Sequence, residues 1–181
     1  WEFPYVGFYD RADPAGRIWG GCRTIDSVIE RLTECERDLN DPDAALIAWG
    51  LDPIFLSGER LVAKHLDRVS QTRPIFVYHA SGHLATVNSE MMRRSGIDRH
   101  TPTPGVAKDA EGEPNGELQE PPAMLLAQDG FSAIGAAIMS PNAKWNYARE
   151  ARNCGVTTIT DLGTTRLAME GQLEAWRDAT D

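Results

Sequence analysis

Cysteine is scarce in this sequence, and its placement excludes two common ways of stabilising a fold. The three cysteines of the 181-residue chain, Cys22, Cys35 and Cys154, are odd in number and far apart. A disulfide scaffold and a zinc site of closely spaced thiolates both disagree with that pattern. We therefore expect a protein of a reducing, cytoplasmic compartment that folds on its hydrophobic core.

Positive charge and long apolar runs are also scarce. The chain has 18 Lys and Arg residues against 27 Asp and Glu residues, which gives a formal net charge of -9. Such a chain repels a phosphate backbone, so nucleic acid is not expected as a partner. No apolar run reaches the roughly 18 residues of a membrane helix, so no membrane partner is expected either.

Two motifs of common enzyme classes are missing as well. The sequence has no Gly-x-Ser-x-Gly elbow, which argues against a serine nucleophile, and no phosphate-binding P-loop. Its 181 residues match one ordinary domain. The chain opens on Trp1 and stops at Ala-Thr-Asp within a predicted helix, so we expect it to be a piece of a longer protein.

Hydrophobic periodicity and turn residues predict a chain in which helices and strands alternate. Residues 1–21 are rich in aromatic side chains, glycine and proline, and we interpret them as a loop pinned to the domain by buried rings rather than as a pocket wall. The remaining predictions are helices over 25–39, 58–69, 88–95 and 141–153, strands over 44–51 and 156–159, and a hairpin turning at residues 113–116.

The chain is organised around residues 74–89, an apolar run that breaks at Ser81-Gly82. The pattern indicates a buried strand followed by a turn, which brings His79 and His83 to the end of a strand. Asn88 follows, with two interpretations: a polar residue of the site, or the N-cap of the next helix. This stretch has more capacity for hydrogen bonding and proton transfer than any comparable one, so we expect the site here.

A second candidate, Asp161, follows the β-branched run Val156–Ile159. Active-site residues of parallel α/β sheets and barrels lie at the C-terminal ends of strands, which favours a catalytic role. An acidic residue at this place could equally cap the next helix. The sequence leaves both interpretations open.

The ordered set of motifs resembles the amidohydrolase superfamily, specifically its amidohydrolase-3 branch, which includes N-substituted formamide deformylases. The resemblance spreads over roughly residues 24–163, and each motif alone is weakly specific. The matching segments are Arg73–Val77, Ser81–His83, Val87–Ser89, Gly96-Ile97, Asp109–Glu120 and Gly155–Ile159.

The resemblance implies an α/β fold that is part of a metal-dependent (β/α)8 barrel hydrolase with a large α/β insertion. Residues 1–154 would be the insertion between the first and second barrel strands. Residues 155–181 would be the second strand and the start of the following helix. The His-x-His metal pair of the family's first strand is absent from the chain, so the chain alone is expected to be inactive.

By the same resemblance, His83 matches the most characteristic histidine of the insertion, which implies that it orients substrate or donates a proton. The alternative is a histidine that only bonds the turn backbone. Glu120 matches a glutamate after the family's Gly-x-Leu segment, so it is a candidate metal ligand or a partner of a ligating histidine. A solvated residue in an acidic stretch is its alternative. Asn88 and His79 are candidate substrate-binding residues, and His83 and Asp161 the catalytic ones.

The leading hypothesis is therefore that the chain is part of a metal-dependent amidohydrolase, which uses metal-activated water to hydrolyse C–N bonds of small amides. Zinc is the divalent metal that the resemblance favours, and a small molecule is the expected partner. The competing hypothesis is a non-catalytic lid or interaction module over a site supplied elsewhere. The sequence leaves homo-oligomer formation open.

Overall fold

The computed structural model describes residues 3–13 and 15–160, which form a mixed α/β fold around one five-stranded sheet. Its strands run in the order β3-β4-β5-β7-β6, with β3 and β4 parallel and the other neighbours antiparallel. A separate two-stranded ribbon pairs β1 with β2. The strands are β1 Arg11–Ala12, β2 Ile18–Trp19, β3 Leu46–Leu51, β4 Ile75–His79, β5 Leu84–Val87, β6 Val106–Lys108 and β7 Pro114–Gln119.

Six α-helices and one 3₁₀ turn are present in the described residues. Thr24 caps the first helix through a bond to the backbone N–H of Ser27, and the apolar positions of that helix face the sheet, as their spacing predicts. The bounds are α1 Ile25–Arg37, the 3₁₀ turn Pro53–Phe55, α2 Ala63–Leu66, α3 Ser89–Arg94, α4 Glu120–Met124, α5 Gln128–Met139 and α6 Pro141–Asn153. No helix among the described residues is long and apolar enough to cross a bilayer.

The sheet is covered on both faces by apolar side chains, which form two clusters. On one face Val77 packs with Leu32 of α1, and on the other Phe76 packs with Leu118 and Met91. Helix α5 crosses Phe76 at Gly130, where an added Cβ would lie 2.3 Å from the ring, so only glycine fits this crossing. The two clusters hold rigid the sheet that carries the candidate site.

Two sequence-based predictions of elements between residues 58 and 119 need correction. The helix predicted over 58–69 is reduced to Ala63–Leu66. The hairpin exists, but it turns at 109–112 instead of 113–116, and residues 114–119 form β7. Asp109 decides this register because its carboxylate accepts the backbone N–H groups of Glu111 and Glu113.

The strand predicted over 156–159 is not formed in the described part of the chain. Val156 and Ile159 are 47% and 43% exposed, and no described strand pairs with this segment. A β-branched run needs a neighbouring strand to satisfy its backbone groups. The assignment of residues 155–181 to a second barrel strand therefore stays a prediction, since residues 161–181 lie outside the described ranges.

The aromatic N-terminal loop is pinned to the domain, as predicted. Residues 4–6 run parallel to β3, with the Val6 N–H donating to the Trp49 carbonyl at 2.9 Å and the Trp49 N–H donating to the Pro4 carbonyl at 3.0 Å. Tyr5 and Trp19 are buried. These rings also line a cleft against α6, so the loop serves as a pocket wall as well.

Candidate functional site

Two of the predicted site residues, His83 and Glu120, meet at one end of the sheet. The imidazole Nδ1 of His83 lies 2.9 Å from Oε2 of Glu120. Both side chains are exposed, by 67% and 62%. Because 37 positions separate them in sequence, their contact depends on the pairing of β5 with β7.

His83 is positioned by the tight connection between β4 and β5. Gly82 has a left-handed φ of 76°, a conformation that a residue without Cβ adopts at no steric cost. The Tyr78 hydroxyl donates to the Gly82 carbonyl at 3.0 Å, and the His83 backbone N–H donates to the Ser81 hydroxyl at 3.2 Å. The turn backbone is thereby satisfied by its neighbours, and the His83 side chain extends into solvent.

Glu120 is held in a strained conformation at the end of β7. Its φ is +65°, and no other non-glycine residue of the described chain has a positive φ. Its backbone N–H donates to the His83 carbonyl at 2.7 Å, just beyond the last ladder pair, Leu84 with Gln119. A left-handed non-glycine residue costs about 1–3 kcal/mol and tends to occur at functional sites. The same two residues are thus joined through both backbone and side chain.

This pair has a defined chemical capacity. A carboxylate beside Nδ1 favours the tautomer with its proton on Nδ1 and orients the ring, which leaves Nε2 available. Nε2 can then accept a proton, donate one when the ring is charged, or bind a metal. The arrangement suits an acid–base group or a single ligand of a larger centre.

His79 lies behind this pair and is buried. Its Nε2 lies 2.9 Å from the Thr86 hydroxyl, and its Nδ1 has no hydrogen-bond partner in the described structure. Desolvation lowers its pKa from 6.5 to about 4, with the neighbouring Arg60 acting in the same direction and Glu117 and Asp52 opposing. His79 is therefore neutral at pH 7 and has no open path to solvent here, whereas sequence reasoning made it a candidate for substrate binding.

An ion pair between the buried Glu117 and the half-exposed Arg60 was missed by sequence reasoning. Glu117 lies in an acidic segment, yet it is only 4% exposed. Its carboxylate accepts from Arg60 at 2.6 Å and from the Gln119 amide at 2.7 Å. Register explains its burial, because Glu117 pairs with the fully buried Thr86 across β5 and β7.

Asn88 serves the fold in this structure. Its Oδ1 accepts the backbone N–H groups of Ile75 at 2.9 Å and Met91 at 3.0 Å, and its Nδ2 donates to the carbonyls of Ser70 and Arg73, both at 2.9 Å. The residue is completely buried. All of its polar groups are engaged, so the N-cap interpretation describes what is seen, and no atom is left for a substrate. Asp161 lies outside the described residues.

The described residues do not form a complete metal centre. Among them, no group of three or more His, Cys, Asp or Glu side chains is placed to hold an ion. His83 and Glu120 bring two donors, whereas structural zinc sites use four protein ligands and catalytic ones three. Any metal bound near this pair would need ligands from outside the described part of the chain.

Comparison with known proteins decides the family. The family model described as the amidohydrolase family matches residues 17–181. The chain belongs to the amidohydrolase family. The sequence-based recognition of the amidohydrolase-3 branch is confirmed.

This amidohydrolase chain matches part of the length of three curated relatives. The chain is 33% identical over 143 residues to YtcJ of Bacillus subtilis, whose name describes an amidohydrolase. That match covers 77% of this chain and 25% of YtcJ. Identity is 27% to LONG AFTER FAR-RED 3 of Arabidopsis thaliana, over 75% of this chain and 23% of the relative. Identity is 29% to the exoenzymes regulatory protein AepA of Pectobacterium carotovorum, and that match covers 86% of this chain and 37% of AepA.

Two solved structures resemble the fold weakly. They are described as uncharacterized metal-dependent hydrolases of Pyrococcus horikoshii and Pyrococcus furiosus, each 18% identical, with TM-scores of 0.45 and 0.44. Each comparison covers 86% of this chain and 29% or 30% of the other. Likeness at this level supports no statement about the site.

Proposed function

We propose that this chain is part of a metal-dependent hydrolase that cleaves C–N bonds of small amides. Membership of the amidohydrolase family supports the reaction class. The observation that carries the proposal is the 2.9 Å contact between the exposed side chains of His83 and Glu120. An exposed histidine held by a carboxylate is suited to proton transfer, and a purely structural histidine has no need of that exposure.

In this proposal His83 acts on the leaving group. Glu120 holds Nδ1, so Nε2 can deliver a proton to the amine nitrogen as the C–N bond breaks. Zinc is the metal we propose, with ligands from the remainder of a longer protein, because the described residues do not supply enough of them. A chain limited to residues 1–181 would accordingly be inactive.

The test uses the full-length protein and the small amide that it turns over fastest. We expect His83→Ala to lower turnover by about 100-fold, the scale of a lost acid–base group, without a change in unfolding midpoint. Added imidazole should restore part of the lost rate, because it replaces the missing proton donor. Full turnover in His83→Ala would remove His83 from the reaction and favour the alternative, a non-catalytic lid or interaction module.

Glu120→Gly separates the two roles of the carboxylate. Glycine accepts the left-handed backbone at this position, so a loss of activity cannot be ascribed to strain. Lower metal content in Glu120→Gly, and in Glu120→Gln, would make Glu120 a metal ligand. Unchanged metal content with slower turnover would make it the residue that orients His83. Glu113→Gln, an exposed acid of the neighbouring hairpin paired with Arg99, is the control and should change neither.

A further inference from the structure

A cleft of about 430 Å³ lies between the N-terminal loop and α6, away from the His83–Glu120 pair. Its volume falls within the roughly 300–1,000 Å³ of small-molecule sites, which are mostly apolar with a few placed polar groups. The cleft matches that description, because five aromatic side chains, one basic side chain and two acidic side chains are among the residues that line it. They are Phe3, Tyr5, Trp19, Trp49, Tyr147, Arg11, Asp13 and Glu150.

Arg11 is the polar group that marks this cleft as a binding site. Its guanidinium carbon lies 4.8 Å from the ring centre of Trp49 and 5.9 Å from that of Tyr5. Within residues 3–13 and 15–160, its guanidinium has neither an ion pair nor a hydrogen bond to a side chain. Contact with aromatic rings pre-positions a guanidinium and leaves its planar N–H edge available for a carboxylate.

Asp13 is an acid of the same loop that also lines the cleft, and it makes no ion pair with Arg11 within the described residues. The Asp13 carboxylate accepts the backbone N–H groups of Ala15 and Arg17 at 3.0 and 2.9 Å and the Trp19 indole N–H at 3.2 Å. Its oxygens therefore hold the loop, although its negative charge remains. Glu150, on the α6 wall, has no ion pair within the described residues, and together with Asp13 it opposes an anion in the cleft.

The rings do not form a cage for a cationic ligand. The Arg11 guanidinium already lies over the rings of Trp49 and Tyr5. The guanidinium carbons of Arg17 and Arg31 lie 3.7 and 5.3 Å from the ring centre of Trp19. A second cation would meet these charges at close range. An anion instead gains from Arg11, and its apolar body gains from the rings.

We propose that this cleft binds a small carboxylate with an aromatic or apolar body, and that Arg11 recognises the carboxylate. The inference does not depend on the proposed hydrolase activity, because binding is measured with a ligand that has no amide bond. Failure of one proposal therefore leaves the other standing.

The experiment is calorimetric titration of the full-length protein with phenylacetate, and with phenylacetamide as the uncharged probe. We expect phenylacetate to bind at least about tenfold more tightly than phenylacetamide, and Arg11→Gln to remove that preference, since a hydrogen bond to a charged group is worth about a factor of ten or more. Arg23→Gln is the matched control, because Arg23 also lies over a ring, that of Phe8, but does not line the cleft. It should bind as the unmodified protein does.

Glu150→Gln distinguishes a lost binding contact from a general loss of folding. Removing one of the two opposing negative charges should strengthen phenylacetate binding by a few-fold, a gain that a loosened fold cannot produce. Equal affinity for the two probes, or phenylacetate binding that survives Arg11→Gln, would overturn the proposal. Absence of binding in the full-length protein would also overturn it, and would mean that other parts of the polypeptide fill the cleft.

Discussion

Two histidines four positions apart show how far one residue type can diverge within a single hairpin. His83 is exposed beside a carboxylate, while His79 is buried with one ring nitrogen unpartnered in the described structure. The alternation of a strand and its turn separates them, because the last strand residue faces the packed side of the sheet and the turn residue faces solvent. Only His83 is placed for chemistry, and His79 instead affects stability.

At the residue scale, His79 predicts a pH dependence of stability. Its folded pKa of about 4 lies below the ordinary 6.5, so the unfolded chain binds a proton first as pH falls. The stabilisation present above pH 6.5 should shrink progressively down to pH 4, by about 3 kcal/mol at most. Urea unfolding between pH 7 and 4 measures this loss. His79→Gln should flatten the slope, and an unchanged slope would mean that groups other than His79 cause it.

At the element scale, one side chain joins three segments that the sequence places apart. Asn88 caps α3 and at the same time ties the start of β4 to the loop at Ser70 and Arg73. Helix α3 has six residues, too few to be stable alone, so it depends on this anchor and on packing. The capping signal was visible in the sequence, whereas the bonds across the loop needed the fold.

We predict that Asn88→Ala destabilises the protein by about 3 kcal/mol or more, because it leaves several buried backbone groups without partners. Ser140→Ala is the comparison. Ser140 caps α6 through a single bond to the Ala143 N–H, and its loss should amount to about 1 kcal/mol. The urea unfolding midpoints of the two variants measure the two losses of stability. Equal effects would show that the bonds of Asn88 to Ser70 and Arg73 add nothing beyond a cap.

At the scale of the whole molecule, helix α6 leaves large aromatic side chains exposed in the described chain. Helix α6 has no buried residue, and Trp145 and Tyr147 of that helix are 51% and 52% exposed. The chain spans between 23% and 37% of the length of the curated relatives it matches. Both observations agree with the proposal that a larger hydrolase completes the site.

That proposal predicts where the metal is held. A protein restricted to residues 1–181 should retain no tightly bound zinc after dialysis, since its described residues group fewer than three ligands. The full-length protein should retain zinc, lose hydrolysis when a chelator removes it, and recover on its return. Elemental analysis of both proteins is the measurement. Stoichiometric zinc in the short protein would instead assign the ligands to residues 1–181 themselves.

The sequence alone determined the family, the mixed α/β class and the type of most elements. It also singled out His83 and Glu120, each as a separate candidate site residue, but nothing local indicated that they are in contact. A local signal was sufficient to indicate Asn88 as the N-cap of α3, because an N-cap depends on residues within one turn. The predictions of a helix over 58–69 and a strand over 156–159 failed, because periodicity does not report whether a partner surface is present.

Tertiary structure alone decided which polar residues face solvent and which face the core. The register of β5 with β7 buries Glu117 opposite Thr86 and joins His83 to Glu120, and a shift of one residue would reverse those faces. Strain at Glu120 and the convergence of Arg11 with Trp49 and Tyr5 are likewise products of long-range packing. Composition and spacing specify such residues, but their environment exists only once distant strands have paired.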